Sequence, residues 1–270
     1  MSRDFGWSEG QQGLIQAAFF VGYAFPQLPG GVLADRFGGK QVLGSGVLFW
    51  SLSTAFTPLS ASHTLNSLLL CRALMGVGEG VAMPAMNSLI ARHVPPSERS
   101  RALSTVYSGF FLGSAAGLGV SPFLVSLAGW PSVFYIFGAS GIVWWFFWAT
   151  QATNGPEEDS KITEAERARI SLEQTGAPVQ KGDSSRAQQE TQIPWKSFLR
   201  SQAVWSIIIS HFSNSWGSFI ILTWLPTYLK SFNLSLEDTG ALALLPWVRY
   251  AFICLLFALL FRFVAHAKCS

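Results

Sequence analysis

Charge is what this sequence is short of. Lys, Arg, Asp and Glu make up 12% of its 270 residues, against roughly 25% in soluble proteins. A soluble globular chain with a charged coat is excluded. Cysteine is scarce as well: Cys71, Cys254 and Cys269 form no CxxC and no metal-ligand spacing, so they build neither a disulfide framework nor a zinc site. The four histidines are scattered, with His63 and His93 in turns, His211 in an apolar run and His266 in the tail. They offer no ligand cluster or acid-base set, and no enzymatic activity is expected. Net charge is only +3, and no nucleic-acid partner is expected. No signal or transit peptide is visible at Met1, where the chain opens on the polar stretch MSRDFGWSEGQQ.

What the chain has instead is apolar length. Half of its residues are hydrophobic and 14% are aromatic, gathered into runs of about 20 with charge confined between them, as membrane helices require. Seven spans are expected, near residues 13–34, 41–60, 66–91, 103–126, 131–150, 203–228 and 239–262. The expected fold is therefore all-α, a polytopic helix bundle in a lipid bilayer. Basic residues set its orientation. Arg36, Lys40, Arg92, Arg99, Arg101, Lys161, Arg167, Arg169, Lys181, Arg186, Lys196, Arg200, Arg262 and Lys268 fall on one side, and only Arg3 and Lys230 on the other. Within 151–202, Thr163 to Glu166 reads as a capping box opening a short charged helix to about Gln174. The stretch GAPVQKGDSSRAQQETQ reads as disordered, and IPWKSFLRS as an interfacial helix.

Two of the remaining charges lie where charge is costly. Arg72 and Glu79 sit inside the third span, where an ionised side chain costs about 2.5–3.5 kcal/mol on insertion scales. Seven positions is two helical turns, about 10 Å along the axis, so both face one side without touching. A satisfied interhelical ion pair is the bland reading. The functional reading is that Arg72 attracts an anion and Glu79 carries a coupling proton or pairs with a cation. A receptor needs neither. Gly76 and Gly80 form a small-xxx-small packing face on the same helix, and Gly109, Gly113 and Gly117 read as close packing in the fourth span. His211, Ser213, Asn214 and Ser215 place hydrogen-bonding groups inside the sixth.

Gly31-Val32-Leu33-Ala34-Asp35-Arg36-Phe37-Gly38-Gly39-Lys40 joins the first two spans in a tight basic turn. Its glycines allow a reversal with positive φ. This turn resembles the signature loop of the major facilitator superfamily, G-x-L-A-D-R-x-G-x-K, which lies between the second and third helices and controls gating. The resemblance assigns gating to Gly31, Asp35, Arg36, Gly38 and Lys40. The run RALMGVGEGVAMPAMN followed by PPSERSR is similar to the anion-transporter branch, which includes sodium/phosphate cotransporters, vesicular glutamate transporters, sialic-acid exporters and plant plastid anion transporters. Tyr107-Ser108-Gly109, the run Gly129 to Tyr135, and Trp224-Leu225-Pro226-Thr227-Tyr228 resemble the plastid phosphate/anion group most.

The resemblance implies secondary active transport of a small anion, inorganic phosphate first, coupled to a proton or sodium. It also implies a plastid envelope or thylakoid membrane. Arg72, Gln16, Tyr23, Tyr107, His211 and Asn214 would bind substrate, and Glu79 would couple the ion. Dicarboxylate carriers of the branch place an arginine where Asn214 stands and a histidine where Gln16 stands, so a smaller or less charged anion than glutamate is expected. The likeness runs from about residue 6 to 248 of a twelve-helix fold. The expected organisation is residues 1–150 as an N-terminal half lacking its first helix, 151–202 as a cytoplasmic- or stromal-side linker, and 203–270 as the start of the second half. The tail from Arg249 departs from the family. A partial product covering about helices two to eight, inactive alone, is the alternative to an active carrier, as is a carrier of an organic anion such as ascorbate.

Overall fold

The computed structural model describes residues 2–175, 195–232 and 235–267. The stretch read as disordered lies outside them. The described residues form twelve α-helices and one 3₁₀ turn, with no strand among them. The helices are α1 (Ser2–Phe5), α2 (Glu9–Ala24), α3 (Gln27–Phe37), α4 (Gly39–His63), α5 (Leu65–Gly80), α6 (Ala82–His93), α7 (Arg99–Ala128), α8 (Trp130–Gln151), α9 (Glu164–Thr175), α10 (Trp195–Arg200), α11 (Gln202–Lys230) and α12 (Leu236–Ala267). Among the described residues, six stretches are long and apolar enough to cross a membrane: 9–37, 39–63, 65–93, 96–128, 130–151 and 238–257. The sixth expected span is α11, a continuous helix of 29 residues with no charged side chain from Gln202 to Tyr228.

Two expected spans are not continuous. The first breaks between α2 and α3 at Phe25–Pro26, and the third between α5 and α6 at Val81. Pro26 and Pro84 explain both, since each lacks the N–H that would extend the ladder from the preceding helix. The two interruptions meet: a Cβ on Gly80 would fall on the Tyr23 carbonyl and 2.7 Å from Pro26 Cγ, and one on Gly30 would fall 3.2 Å from Val81.

Glycine sets how closely the helices approach. α2 and α5 cross with Gly22 against the Ala73 backbone and Gly76 against the Phe19 carbonyl and the Tyr23 amide. On another side of α5, Gly78 meets Gly46 and Trp50 of α4. The packing read for Gly76 and Gly80 is present. That read for Gly109, Gly113 and Gly117 is not: a Cβ on any of them would meet nothing within 4 Å. α7 instead packs along α12 through Gly119 against Leu244, Pro122 against Gly240, and Phe111 stacked on Tyr250 at 5.3 Å. α12 runs unbroken through Val248 to Ala267.

The turns sort to two ends. At one end, Arg92 donates to the Asp35 carbonyl at 3.3 Å and the Ser88 hydroxyl to the Asp35 carboxylate at 3.4 Å. There the segment after α8 hydrogen-bonds to Lys40 of α4 and His93 of α6, and α9 docks on the 3₁₀ turn Pro96–Glu98. Ile170 is buried beneath it. Arg169 pairs with Glu98 at 2.9 Å and Glu173 at 3.1 Å, while the Ser97 hydroxyl donates to Glu173 at 2.6 Å. That Ser97 hydrogen bond holds the Glu173 carboxyl below its ordinary range. At the other end, Ile15, Ala61 and Leu68 pack with Trp7 and Trp130. The capping boxes Ser8/Gln11 and Thr64/Ser67 start α2 and α5 there.

This arrangement fixes a topology test. Ser160 lies at the basic end and Ser62 at the other, both exposed. In oriented vesicles, Ser160→Cys should react with an impermeant maleimide from one face and Ser62→Cys only from the opposite face. Reaction of both from one face contradicts the span order.

Candidate functional site

Glu79 stands in the last turn of α5, just before the break at Val81. It opens into a cavity of about 340 Å3 between α4, α5 and α8, lined also by Trp50, Thr54, Met75, Val133, Phe134 and Phe137. The wall is mostly aromatic and aliphatic. Arg72 borders this cavity against two of its lining residues. Its guanidinium carbon lies 5.6 Å from the centre of the Phe134 ring, and Nη1 donates to Met75 Sδ at 3.9 Å. Its Nε is buried with no hydrogen-bond partner.

Arg72 and Glu79 share a helix face with Met75 between them, and they make no ion pair with each other or with any described residue. The bland reading fails on that point. A ring face and a thioether are weak partners for a cation, so the charge is sheltered without being neutralised. An unsatisfied buried donor of this kind costs about 1–3 kcal/mol, more when charged. A protein that keeps one at a cavity edge has a site suited to an anion.

The other expected residues divide. Tyr23, half-buried on α2, lies within electrostatic reach of both Glu79 and Tyr107. Gln16 is exposed on the same helix. His211 and Asn214 are exposed and line a separate shallow groove of about 410 Å3 with Ser206, Ile207 and Ser210, all from α11. α11 reaches α2 further along, where Phe219 meets Phe20 at 4.7 Å and Tyr23 at 6.2 Å between ring centres. The structure thus brings Arg72 and Glu79 to one cavity, whose walls include none of Tyr23, Tyr107, Gln16, His211 and Asn214. Sequence reasoning missed Trp50, Thr54, Met75, Phe134 and Phe137. Met75 carried a signal, being one turn from Arg72; the others come from distant helices.

The 31–40 turn is built as its glycines require. Gly38 ends α3 with φ of 93° and ψ of 142°, a conformation closed to most L-residues. Gly39 lets α4 touch α6, since its Cβ would lie 2.6 Å from Leu89 Cγ and 2.8 Å from the Ala85 carbonyl. Gly31 lies against Pro84 of α6. Arg36 sits over the Phe37 ring at 5.5 Å, Asp35 is tied to α6, and Lys40 to the end of α8.

A bundle of long apolar helices, a glycine-shaped basic turn and a sheltered arginine beside a cavity describe a membrane-spanning helical fold. The chain belongs to the Major Facilitator Superfamily, matching it over residues 1–268. It is 50% identical over 252 residues to "Probable anion transporter 4, chloroplastic" of Oryza sativa subsp. japonica, covering 93% of this chain and 41% of that protein. It is 47% identical over 252 residues to the "Ascorbate transporter, chloroplastic" of Arabidopsis thaliana, covering 93% and 45%. To the "Sodium-dependent phosphate transport protein 1, chloroplastic" of the same plant it is 46% identical over 253 residues, covering 93% and 47%. The chain spans about half the length of these relatives.

Proposed function

We propose that this chain is part of a plastid-membrane carrier that moves small anions by secondary active transport, with inorganic phosphate as cargo. What carries the reading is the Arg72 guanidinium, sealed at Nε and unpaired at the edge of a cavity. On this reading Arg72 attracts the anion and Glu79 carries a proton or pairs with sodium. Tyr23 and Tyr107 line the path, and Gln16, His211 and Asn214 meet the cargo along the seam between the halves. Residues 1–150 belong to the first half, 151–202 to the linker and 203 onward to the second half. Gly31, Asp35, Arg36, Gly38 and Lys40 form the gate.

A second reading rests on the cavity wall. Trp50, Phe134 and Phe137 offer ring faces that a compact hydrated oxyanion cannot use, whereas a planar organic anion can stack on them. Ascorbate, named for one relative, fits that description. The test is uptake in liposomes by a full-length carrier containing this sequence. Phosphate uptake should exceed glutamate uptake, with ascorbate the main competitor; saturable glutamate transport without phosphate transport overturns the proposal.

Glu79→Gln separates coupling from binding in the same assay. A neutral amide cannot take up or release a proton or hold a cation, so gradient-driven uptake should fall to background while anion exchange persists. Gradient-driven uptake that keeps its wild-type pH and sodium dependence removes Glu79 from the coupling role.

A further inference from the structure

The N-terminus of α4 is capped from far along the chain. Gly38, its first flanking residue, has no side chain to cap with, and the opening N–H groups of a helix need acceptors. The Lys40 N–H donates to Asn154 Oδ1 at 3.2 Å, 114 positions later. The carbonyl of the same residue accepts from Trp148 Nε1 at 3.1 Å. Both sides of Lys40 are therefore held by the end of α8 and the segment that follows it.

The Asn154 amide is itself oriented. Its backbone N–H and Nδ2 face Glu158 Oε2 at 3.0 and 3.5 Å, leaving Oδ1 towards Lys40. One residue earlier, Thr153 Oγ1 meets His93 Nε2 at 3.2 Å, while His93 Nδ1 lies 3.1 Å from the Leu89 carbonyl. With Asp35 tied to Ser88 and Arg92, a closed ring of contacts joins the ends of α3, α6, the 152–158 segment and α4. The cavity beside Glu79 lies away from this ring, with Arg72 and Phe134 nearer the Leu65 and Trp130 ends of their helices.

We propose that Asn154 is a positioning residue for the gate: by capping α4 it holds the Gly38–Lys40 reversal in the arrangement that seals the basic end. The 152–158 segment is then a working part of the gate. This rests on the transport reading above, with the gate assigned to the 31–40 turn. A purely structural cap would stabilise α4 without controlling access to the cavity, and the two roles separate experimentally.

The test uses the 270-residue chain in liposomes, with Thr54→Cys as the reporter in the cavity wall. Two rates are measured: hydrogen exchange across residues 39–42, and alkylation at position 54 by an impermeant maleimide added on the basic face, read by peptide mass spectrometry. Asn154→Ala should raise both rates roughly fivefold, as losing one capping hydrogen bond allows. Asn154→Asp made with Glu158→Gln keeps an acceptor at the helix N-terminus and should stay within about twofold of the parent. Trp148→Phe, which frees the Lys40 carbonyl, should behave as Asn154→Ala does and serves if that variant fails to fold. Faster exchange with unchanged alkylation overturns the proposal, because the cap would then only hold a helix. Unchanged values for both rates overturn it too, as does an aspartate variant as leaky as the alanine one. Neither measurement uses an anion, so a failure of the cargo assignment shows in uptake and leaves these rates untouched.

Discussion

Anion uptake by a full-length carrier containing this sequence should fall at least about thirtyfold when Arg72 becomes glutamine. Removing one partner of a buried charge-assisted contact costs about 2–5 kcal/mol, and on the proposed function the lost partner is the cation that meets the cargo. Glutamine keeps much of the side-chain length and some hydrogen bonding, so the loss reports on charge. Arg72→Lys should rescue little. An ammonium keeps the charge but lacks the planar fork that grips an oxyanion through two parallel hydrogen bonds. It also gives up the delocalised guanidinium that lies over the Phe134 ring, 5.6 Å from its centre. Initial uptake rates over a concentration series check this. Retention of more than a third of wild-type uptake by Arg72→Gln contradicts the assignment of Arg72 as the anion's counter-charge.

The second large effect is on the fold. Gly76→Leu should prevent α2 and α5 from packing, and Gly76→Ala should already destabilise the bundle by about 3 kcal/mol, the upper end for overpacking. The added Cβ would fall on the Phe19 carbonyl, 2.7 Å from the Tyr23 amide and 3.0 Å from the Gly22 carbonyl carbon. Those are backbone atoms and cannot rotate aside. Gly113→Ala supplies the contrast. Its Cβ meets nothing within 4 Å, so the gain in helix propensity, about 1 kcal/mol for glycine to alanine, acts unopposed. Thermal unfolding in detergent should show the two substitutions moving the midpoint in opposite directions. Equal effects contradict the packing described for α2 and α5.

These contrasts show what the sequence makes legible. Arg72 and Glu79 stand out because ionised side chains are rare within apolar spans, and the structure keeps them apart as two turns of helix require. The reversal at Gly31–Lys40 is legible because a basic turn with clustered glycine has few conformational solutions, and Gly38 takes the positive φ. Helix breaks are harder to read. Pro26 accompanies an interruption, yet Pro58, Pro122, Pro226 and Pro246 lie inside unbroken helices. A membrane helix tolerates proline wherever neighbours satisfy the freed carbonyl, and that depends on tertiary contacts. The same limit applies to glycine: Gly76 and Gly113 have the same spacing pattern, and only the first meets another helix. Phe134, Thr54 and Asn154 were invisible as site residues because their partners lie on other helices, 114 positions away for Asn154 and Lys40. His211 and Asn214 cluster in sequence, but α11 turns them towards its exposed face.

If the unpaired Arg72 guanidinium at the cavity edge recruits an anion, the thermal stability of the purified chain depends on that ligand. A ligand bound only by the folded state stabilises it by about 2.7 kcal/mol at a hundred times its dissociation constant. Phosphate or ascorbate should therefore raise the unfolding midpoint saturably, at constant ionic strength, in the wild-type chain and not in Arg72→Gln. Equal shifts in both proteins, or no shift in either, would contradict the account.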